Sequence, residues 1–252
     1  MRLSRNAGCT PPPSGRFTAP EVEIENEMKM DVEKTRWWWI RHAPVPSDGK
    51  LYGSQDWPAD CEDPELFRGV AAMLPRDAYW VTSHLQRTHQ TAAALKRHIL
   101  EESAELAEHP EQEPLLGEQS FGDWQGRTRR EVLQELHDSN RWHRFWLTAA
   151  HEVPPGGESF LDLCGRVKQA VERISEQRRG QDIVAVAHGG TIRAALCLAL
   201  DLTPERALAF KIDNVSLTRI DLVHGPAGGH APEPGAVWTV ELVNFPPQMP
   251  SR

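Results

Sequence analysis

Three short apolar runs, each ending abruptly in polar residues, constrain this 252-residue chain more than any other feature. Trp37-Trp38-Trp39-Ile40 stops at Arg41-His42, Tyr79-Trp80-Val81-Thr82 at Ser83-His84, and Ile183-Val184-Ala185-Val186-Ala187 at His188-Gly189-Gly190. Aromatic and β-branched runs without alternation are too short for helices and suit strands buried on both faces. The second and third runs feed helical patterns, through Gln90, Ala93, Ala94, Leu95 and Ile99 and through Ile192, Ala195, Leu196 and Leu200. The predicted fold class is therefore α/β, a three-layer α/β/α sandwich with a mostly parallel sheet. Such sheets place ligands just beyond the carboxyl ends of their strands, so Arg41, His42, Arg87 and His188 are expected to converge.

The remaining segments fit around that frame. Residues 1–35 combine a Pro-rich piece, Thr10 to Pro13, with an acidic stretch and lack periodicity, which predicts a poorly packed extension, with Met28 and Met30 as alternative starts. The catalytic-sized domain is expected over 36–246, followed by a short tail at 247–252. Amphipathic stretches from Arg127 to Leu147 and from Phe160 to Arg178 flank a turn-rich segment, His151 to Glu158. The first carries Trp142, Phe145 and Trp146 and is expected to cover a pocket as part of a helical lid spanning about 121–159. Val215 to Leu222 and Val237 to Val243 alternate like strands across a Gly/Pro loop and predict a closing antiparallel hairpin.

Composition removes several function classes. Lys+Arg 28 against Asp+Glu 36 gives a net charge of −8, so no general electrostatic hold on nucleic acid or anionic lipid is expected. No apolar run approaches the roughly 20 residues of a membrane-spanning helix, and no apolar segment follows Arg2 and Arg5 as a secretory signal requires. Cys9, Cys61, Cys164 and Cys197 form no C-x-x-C pair and read as free thiols of a reducing compartment, with Cys164 and Cys197 packed inside helical patterns. A cytoplasmic protein is expected, with a homodimer allowed.

Alone, an arginine before a histidine at a strand end reads as a packed imidazole beside a surface ion pair. Two further elements alter that balance. The stretch Ser83-x-Leu85-x-Arg87-x-x-Gln90-Thr91-Ala92 sets a second arginine at a helix start, where backbone N–H groups and the dipole already favour an anion. His188-Gly189-Gly190 sets a second imidazole against glycines that permit close backbone approach. Two guanidiniums and two imidazoles at one sheet edge describe a pocket for a tetrahedral dianion such as phosphate. A neutral imidazole there can also attack phosphorus, if its other nitrogen is pinned by a hydrogen bond.

Arg41-His42-Ala43, the Ser83 to Ala92 stretch, Glu118-x-x-Phe121-Gly122-x-Trp124-x-Gly126, Gly156-Gly157-Glu158-Ser159 and His188-Gly189-Gly190 occur in an order that resembles the histidine phosphatase superfamily, the phosphoglycerate mutase-like fold. The resemblance spans roughly Trp37 to Asn244 and implies roles residue by residue. His42 matches the nucleophile that becomes phosphohistidine. Arg41, Arg87 and His188, with Gly189, match the groups that hold the transferring phosphoryl, one of them as an imidazolium. Glu118 matches the proton donor to the leaving alkoxide. Trp124, Glu158, Ser159, Ser47 and Gly53 are the expected substrate contacts. The resemblance implies no metal and no cofactor.

Departures from the family pattern bear on these roles. Ala43 stands where glycine is usual; alanine there is mild if only its backbone is used and strained if the position needs positive φ, and the mild case is expected. Pro44-Val45-Pro46-Ser47-Asp48 replaces a segment that commonly supplies a phosphate-binding amide, a gap that Ser47 or the backbone around Tyr52-Gly53-Ser54 would fill. Gln125 replaces a common glutamate. The long insertion of phosphoglycerate mutases after the nucleophile is absent, which favours hydrolysis over mutase chemistry. His84, His89 and His98 lack the spacing of a metal site, and Arg127, Arg129 and Arg130 read as a solvated helix start rather than a nucleotide patch. The expected function is metal-independent hydrolysis of a small phosphorylated metabolite, with similarity to the α-ribazole phosphatase group. The rivals are a phosphoglycerate mutase-type phosphotransferase and a phospholigand-binding protein without turnover.

Overall fold

The triple tryptophan lies at the centre of a nine-residue strand, β1 (Glu33–Arg41), in a computed structural model that describes residues 33–99, 110–225 and 236–247. The predicted extension up to residue 32, the loop at 226–235 and the tail from 248 fall outside the described residues. The strand starts at Glu33, earlier than expected, because Glu33, Lys34 and Thr35 pair with His224, Val223 and Leu222. The other strands are β2 (Tyr79–Thr82), β3 (Glu111–Gln112), β4 (Asp182–Ala187), β5 (Leu217–His224) and β6 (Ala236–Phe245). They form one sheet in the order β3-β2-β4-β1-β5-β6. The β3, β2, β4 and β1 neighbours are parallel, whereas β5 and β6 close the sheet as the antiparallel hairpin foreseen from their alternation.

Helices cover both faces. Trp37, Trp39, Ile183, Ala185 and Ala187 point to the face packed by Val167, Val171 and Ile174 of α4 (Phe160–Gln177) and Ile192 and Leu196 of α5 (Gly189–Ala199). Ile40, Val184 and Val186 point to the other, packed by Phe67 and Val70 of α1 (Glu65–Ala71) and Leu95 and Ile99 of α2 (Gln86–Ile99). Burial on both faces explains why these strands lack alternating polarity. The stretch from Arg127 to Leu147 is not one helix. After a capping box between Thr128 and Glu131, α3 (Arg129–Asp138) ends at Ser139, and Asn140 adopts a φ of +54° that a helix cannot continue. Downstream, Trp142 and Phe145 are half exposed, so they do not cover a pocket as expected, whereas Trp146 turns inward against Phe121. A short α6 (Pro204–Ala207) follows α5. Cys197 is buried on α5, its thiol 3.0 Å from the Leu202 carbonyl.

The tryptophans divide as the sheet demands. Trp37 and Trp39 stack with centroids 4.9 Å apart, and Trp37 Nε1 donates to Ser175 Oγ at 2.9 Å. Trp38 faces the opposite way, donates to Asp182 and carries Arg219 4.5 Å above its ring. Replacing Trp37 with alanine is expected to cost roughly 3–5 kcal/mol. Trp38→Ala should cost clearly less, because Trp38 is only partly buried. Denaturant unfolding of both variants checks the ranking.

Candidate active site

At the carboxyl end of β1 the chain leaves the sheet with His42 N bonded to Ala187 O at 2.9 Å, so the ends of β1 and β4 are stitched together. His42 and His188, the first residue beyond each strand, are both buried, with ring centroids 5.2 Å apart. Arg87, in the first turn of α2, is fully buried between them and the loop at 53–55. It donates from Nη2 to Gly53 O at 2.6 Å, from Nη1 to Gln55 O at 2.7 Å and from Nε to His188 Nδ1 at 3.3 Å. Arg41 is anchored by Ile212 O at 2.7 Å, while its Nε is buried with no partner.

Hydrogen bonds fix both tautomers. His42 Nδ1 lies 2.7 Å from Ala43 O, and a carbonyl can only accept, so Nδ1 holds the proton and Nε2 keeps its lone pair. Burial first, then Arg87 and Arg41, holds the His42 pKa well below the ordinary imidazole value. The His42 ring is thus neutral and oriented without help from a carboxylate. His188 Nδ1 accepts from Arg87, which puts its proton on Nε2, 2.8 Å from Ser83 Oγ. Burial and then the positive charge of Arg87 hold this ring neutral as well. Burial and Arg87 thus disfavour the imidazolium expected at His188, and a dianion bound beside the ring would favour it.

Ala43 is the mild substitution expected. Its φ is not positive, its carbonyl pins His42, and its N–H donates to Thr91 Oγ1 at 2.8 Å. Thr91 in turn donates to Arg87 O at 2.7 Å, linking the backbone after His42 to that of Arg87 through one hydroxyl. The far side is braced by a strained loop. Val215, β-branched and at a φ of +56°, bonds Arg41 O, and Asn214 Nδ2 donates to His42 O at 2.8 Å.

Glu118 enters from the loop before a 3-10 turn at Gly122–Trp124. Its carboxylate accepts from Gly190 N at 3.1 Å, at the start of α5, two residues beyond His188. A β-carbon on Gly190 would collide with that carboxylate, which is why the second glycine is required. Gly122 and Gly157 press backbone to backbone in the same way: side chains there would strike Pro155 O and Ser120 O. The Phe-Gly and Gly-Gly-Glu-Ser segments are thus two halves of one interlocked turn.

Several expected substrate contacts have other occupations. Ser159 caps α4 through Asp162, and Glu158 is bound by Arg166 and by Ser120 N. Trp124 is 1% exposed within an apolar cluster with Phe121, Val132, Leu136 and Leu147. Ser47 sits in a tight turn bonded through its backbone to Val45 and Lys50. Gly53 contributes its carbonyl to Arg87 at a φ of +42°, with no room for a β-carbon. Gly189 opens α5 beside Arg41. His84, His89 and His98 diverge, against Gly117, Thr82 and Phe67, and among the described residues no cluster could hold a metal ion.

Tyr52 and Arg166 went unsuspected in the sequence. The Tyr52 ring lies 6.2 Å from His42, with the Arg87 guanidinium 5.1 Å above it. Arg166, on α4, spends its fork on the loop that carries Glu118. It donates to Leu115 O at 2.7 Å, Gly117 O at 2.8 Å and Glu118 O at 3.1 Å, and pairs with Glu158 at 2.6 Å. Only its spacing of eight from Glu158 could have hinted at the pair.

The sequence profile of the histidine phosphatase superfamily (branch 1) matches residues 37–227. An adenosylcobalamin/α-ribazole phosphatase of Escherichia coli is 28% identical over 192 residues, covering 74% of this chain and 90% of its own. A metal-independent phosphoserine phosphatase of Arabidopsis thaliana is 26% identical over 210 residues, covering 80% and 82%. A solved structure described as a putative α-ribazole-5'-P phosphatase from E. coli superposes with a TM-score of 0.64 at 25% identity, covering 83% of this chain and 96% of that one.

Two measurements probe this geometry. Because both histidines are held neutral below the ordinary value of 6.5, the unfolded chain binds more protons in acid. Their contribution is fully present above about pH 6.5 and is lost as pH falls toward the depressed folded values. The melting temperature should drop between pH 7.5 and 5, and less steeply in His42→Asn. Arg166→Met should lower kcat on the order of 10- to 100-fold by loosening Glu118, with a smaller change in KM; Arg166→Lys should recover part of it.

Proposed function

Because this chain belongs to the histidine phosphatase superfamily, we propose that it is a metal-independent phosphomonoesterase that hydrolyses a small phosphorylated metabolite through a phosphohistidine on His42. The observation that carries this reading is the His42 Nδ1 to Ala43 O bond of 2.7 Å, which leaves Nε2 unprotonated on a ring beside His188 and within the field of Arg87 and Arg41. Guanidiniums bind the nonbridging phosphate oxygens and stabilise the charge that spreads over them in the transition state. His42 Nε2 forms a bond to phosphorus as the ester P–O bond breaks, and the leaving oxygen takes a proton from Glu118. In the second step Glu118 accepts a proton from water as that water attacks the phosphohistidine, which releases inorganic phosphate and restores neutral His42. A positioned carboxyl group in this role contributes about 10²–10⁴ in rate.

The similarity to the E. coli and Arabidopsis relatives supports α-ribazole phosphate and phosphoserine as candidate substrates. Among the described residues no helix is long and apolar enough to cross a membrane.

The test is turnover of para-nitrophenyl phosphate with excess chelator, followed by trapping of the labelled protein. Wild type should release phosphate with chelator present, and His42→Asn should lose activity by at least about 10³-fold. Glu118→Gln should accumulate an acid-labile, base-stable phosphoryl group with para-nitrophenyl phosphate, whose leaving group departs without a proton, because only the water-attack step then needs the carboxylate. The acid limb of kcat/KM should lie below pH 6.5, since His42 is deprotonated there. Phosphate bound tightly with no turnover, or turnover abolished by chelator, would overturn the proposal.

A further inference from the structure

Arg193 stands five residues beyond His188 on α5, largely buried, and the chemistry described above does not use it. Its Nε donates to Phe210 O at 2.8 Å, and its guanidinium carbon lies over Trp146, 4.6 Å from the ring centroid. No acceptor among the described residues bonds either terminal nitrogen. That free end points toward the active site. A β-carbon on Gly189 would sit 3.4 Å from Arg193 Nη1 and 3.6 Å from Arg41 Nε, so both cations flank the same glycine at the start of α5. Arg129 approaches the Trp146 ring at 5.6 Å, adding positive charge to the same wall.

Charge counting shows what is missing. Of the described arginines with no carboxylate oxygen within 4.0 Å, Arg41, Arg87 and Arg193 are the ones gathered around His188 and the start of α5. A phosphate dianion balances Arg41 and Arg87 and leaves Arg193 uncompensated. The negative charge that most supports Arg193 is Glu118, while burial drives its pKa down to about 10. Glu118 must be protonated to act on the leaving oxygen, so its support vanishes at the step where it is needed. A buried guanidinium without a counter-ion is costly, and its planar pair of terminal nitrogens matches a carboxylate. The leaving group lies beside Glu118 by the logic of proton donation, and hence beside Arg193.

We propose that Arg193, anchored by Phe210 O and Trp146, is a specificity-determining residue that binds a carboxylate on the leaving group, so that the preferred substrates are phosphomonoesters of hydroxy acids. This rests on the phosphomonoesterase reading and narrows it. A neutral leaving group, such as a nucleoside, leaves Arg193 unpaired.

The test compares 3-phosphoglycerate with glycerol 3-phosphate, which differ by a carboxylate in place of a hydroxymethyl group, with para-nitrophenyl phosphate as a reference. Wild type should favour the acid at least tenfold in kcat/KM. Arg193→Met should shrink that ratio to about two or less, mainly through KM for the acid, and Arg193→Lys should restore part of it. Equal wild-type rates on the pair, or an Arg193→Met loss shared equally by both members, would overturn the inference and assign Arg193 a structural role. Should Arg193→Met fail to fold, the wild-type ratio alone still decides. Absence of turnover on para-nitrophenyl phosphate would instead sink the phosphomonoesterase reading on which the inference stands.

Discussion

Uncompensated positive charge, gathered where three parallel strands end, governs the arrangement of everything around it. Arg41 and Arg87 are not neutralised by acids but held by carbonyl oxygens, those of Ile212, Gly53 and Gln55. Carbonyls fix the guanidinium planes and satisfy some of their N–H groups without cancelling the charge, which stays available for an anion. Burial first, and this field second, keep both imidazoles neutral. A carboxylate behind His42, the usual device for orienting a basic imidazole, would weaken this field; the Ala43 carbonyl sets the tautomer while adding no charge.

Placing one acid next to that field without neutralising it is the second structural problem, and the loop from 115 to 122 solves it through backbone geometry. Glu118 is tied to the start of α5 by its carboxylate and to α4 by the Arg166 bond to its carbonyl. Glu158 occupies the opposite side of Arg166, so the guanidinium that holds the loop is neutralised locally. The interlocked glycines at 122 and 157 allow this crossing at backbone contact distance. Two sequence segments that look like separate motifs therefore act as a single mechanical support for one carboxyl group.

What could be read in advance follows from this division. Strand ends were legible because β1, β2 and β4 are buried on both faces, so their apolar runs stop where the sheet meets the pocket; Arg41, His42, Arg87 and His188 come together as their positions in those runs implied. The β5–β6 hairpin was legible by alternation. The stretch from Arg127 to Leu147 misled because large apolar residues past Ser139 mimic helical periodicity, while Asn140 turns the chain away. Glu158 and Ser159 show a role the motif did not announce: Ser159 caps α4 and Glu158 binds the Arg166 that holds the Glu118 loop. Arg166, Arg193 and Tyr52 carry no local signature, since each gains its place only when α4, α5 and the loop at 52–55 pack against the sheet edge.

Ala43 shows how narrowly such a motif is constrained. Its carbonyl binds His42 Nδ1, its N–H binds Thr91 Oγ1, and its side chain is fully buried against Ile40, Val186 and their neighbours. The backbone groups are supplied by any residue except proline, which lacks the N–H, and the negative φ removes the need for glycine. What limits the position is volume, because a methyl group fits the packed layer beneath the strand end and a larger side chain would overpack it. Function thus reaches this residue through packing and not through its chemistry, and glycine and alanine are equivalent here for the same physical reason that larger residues are not.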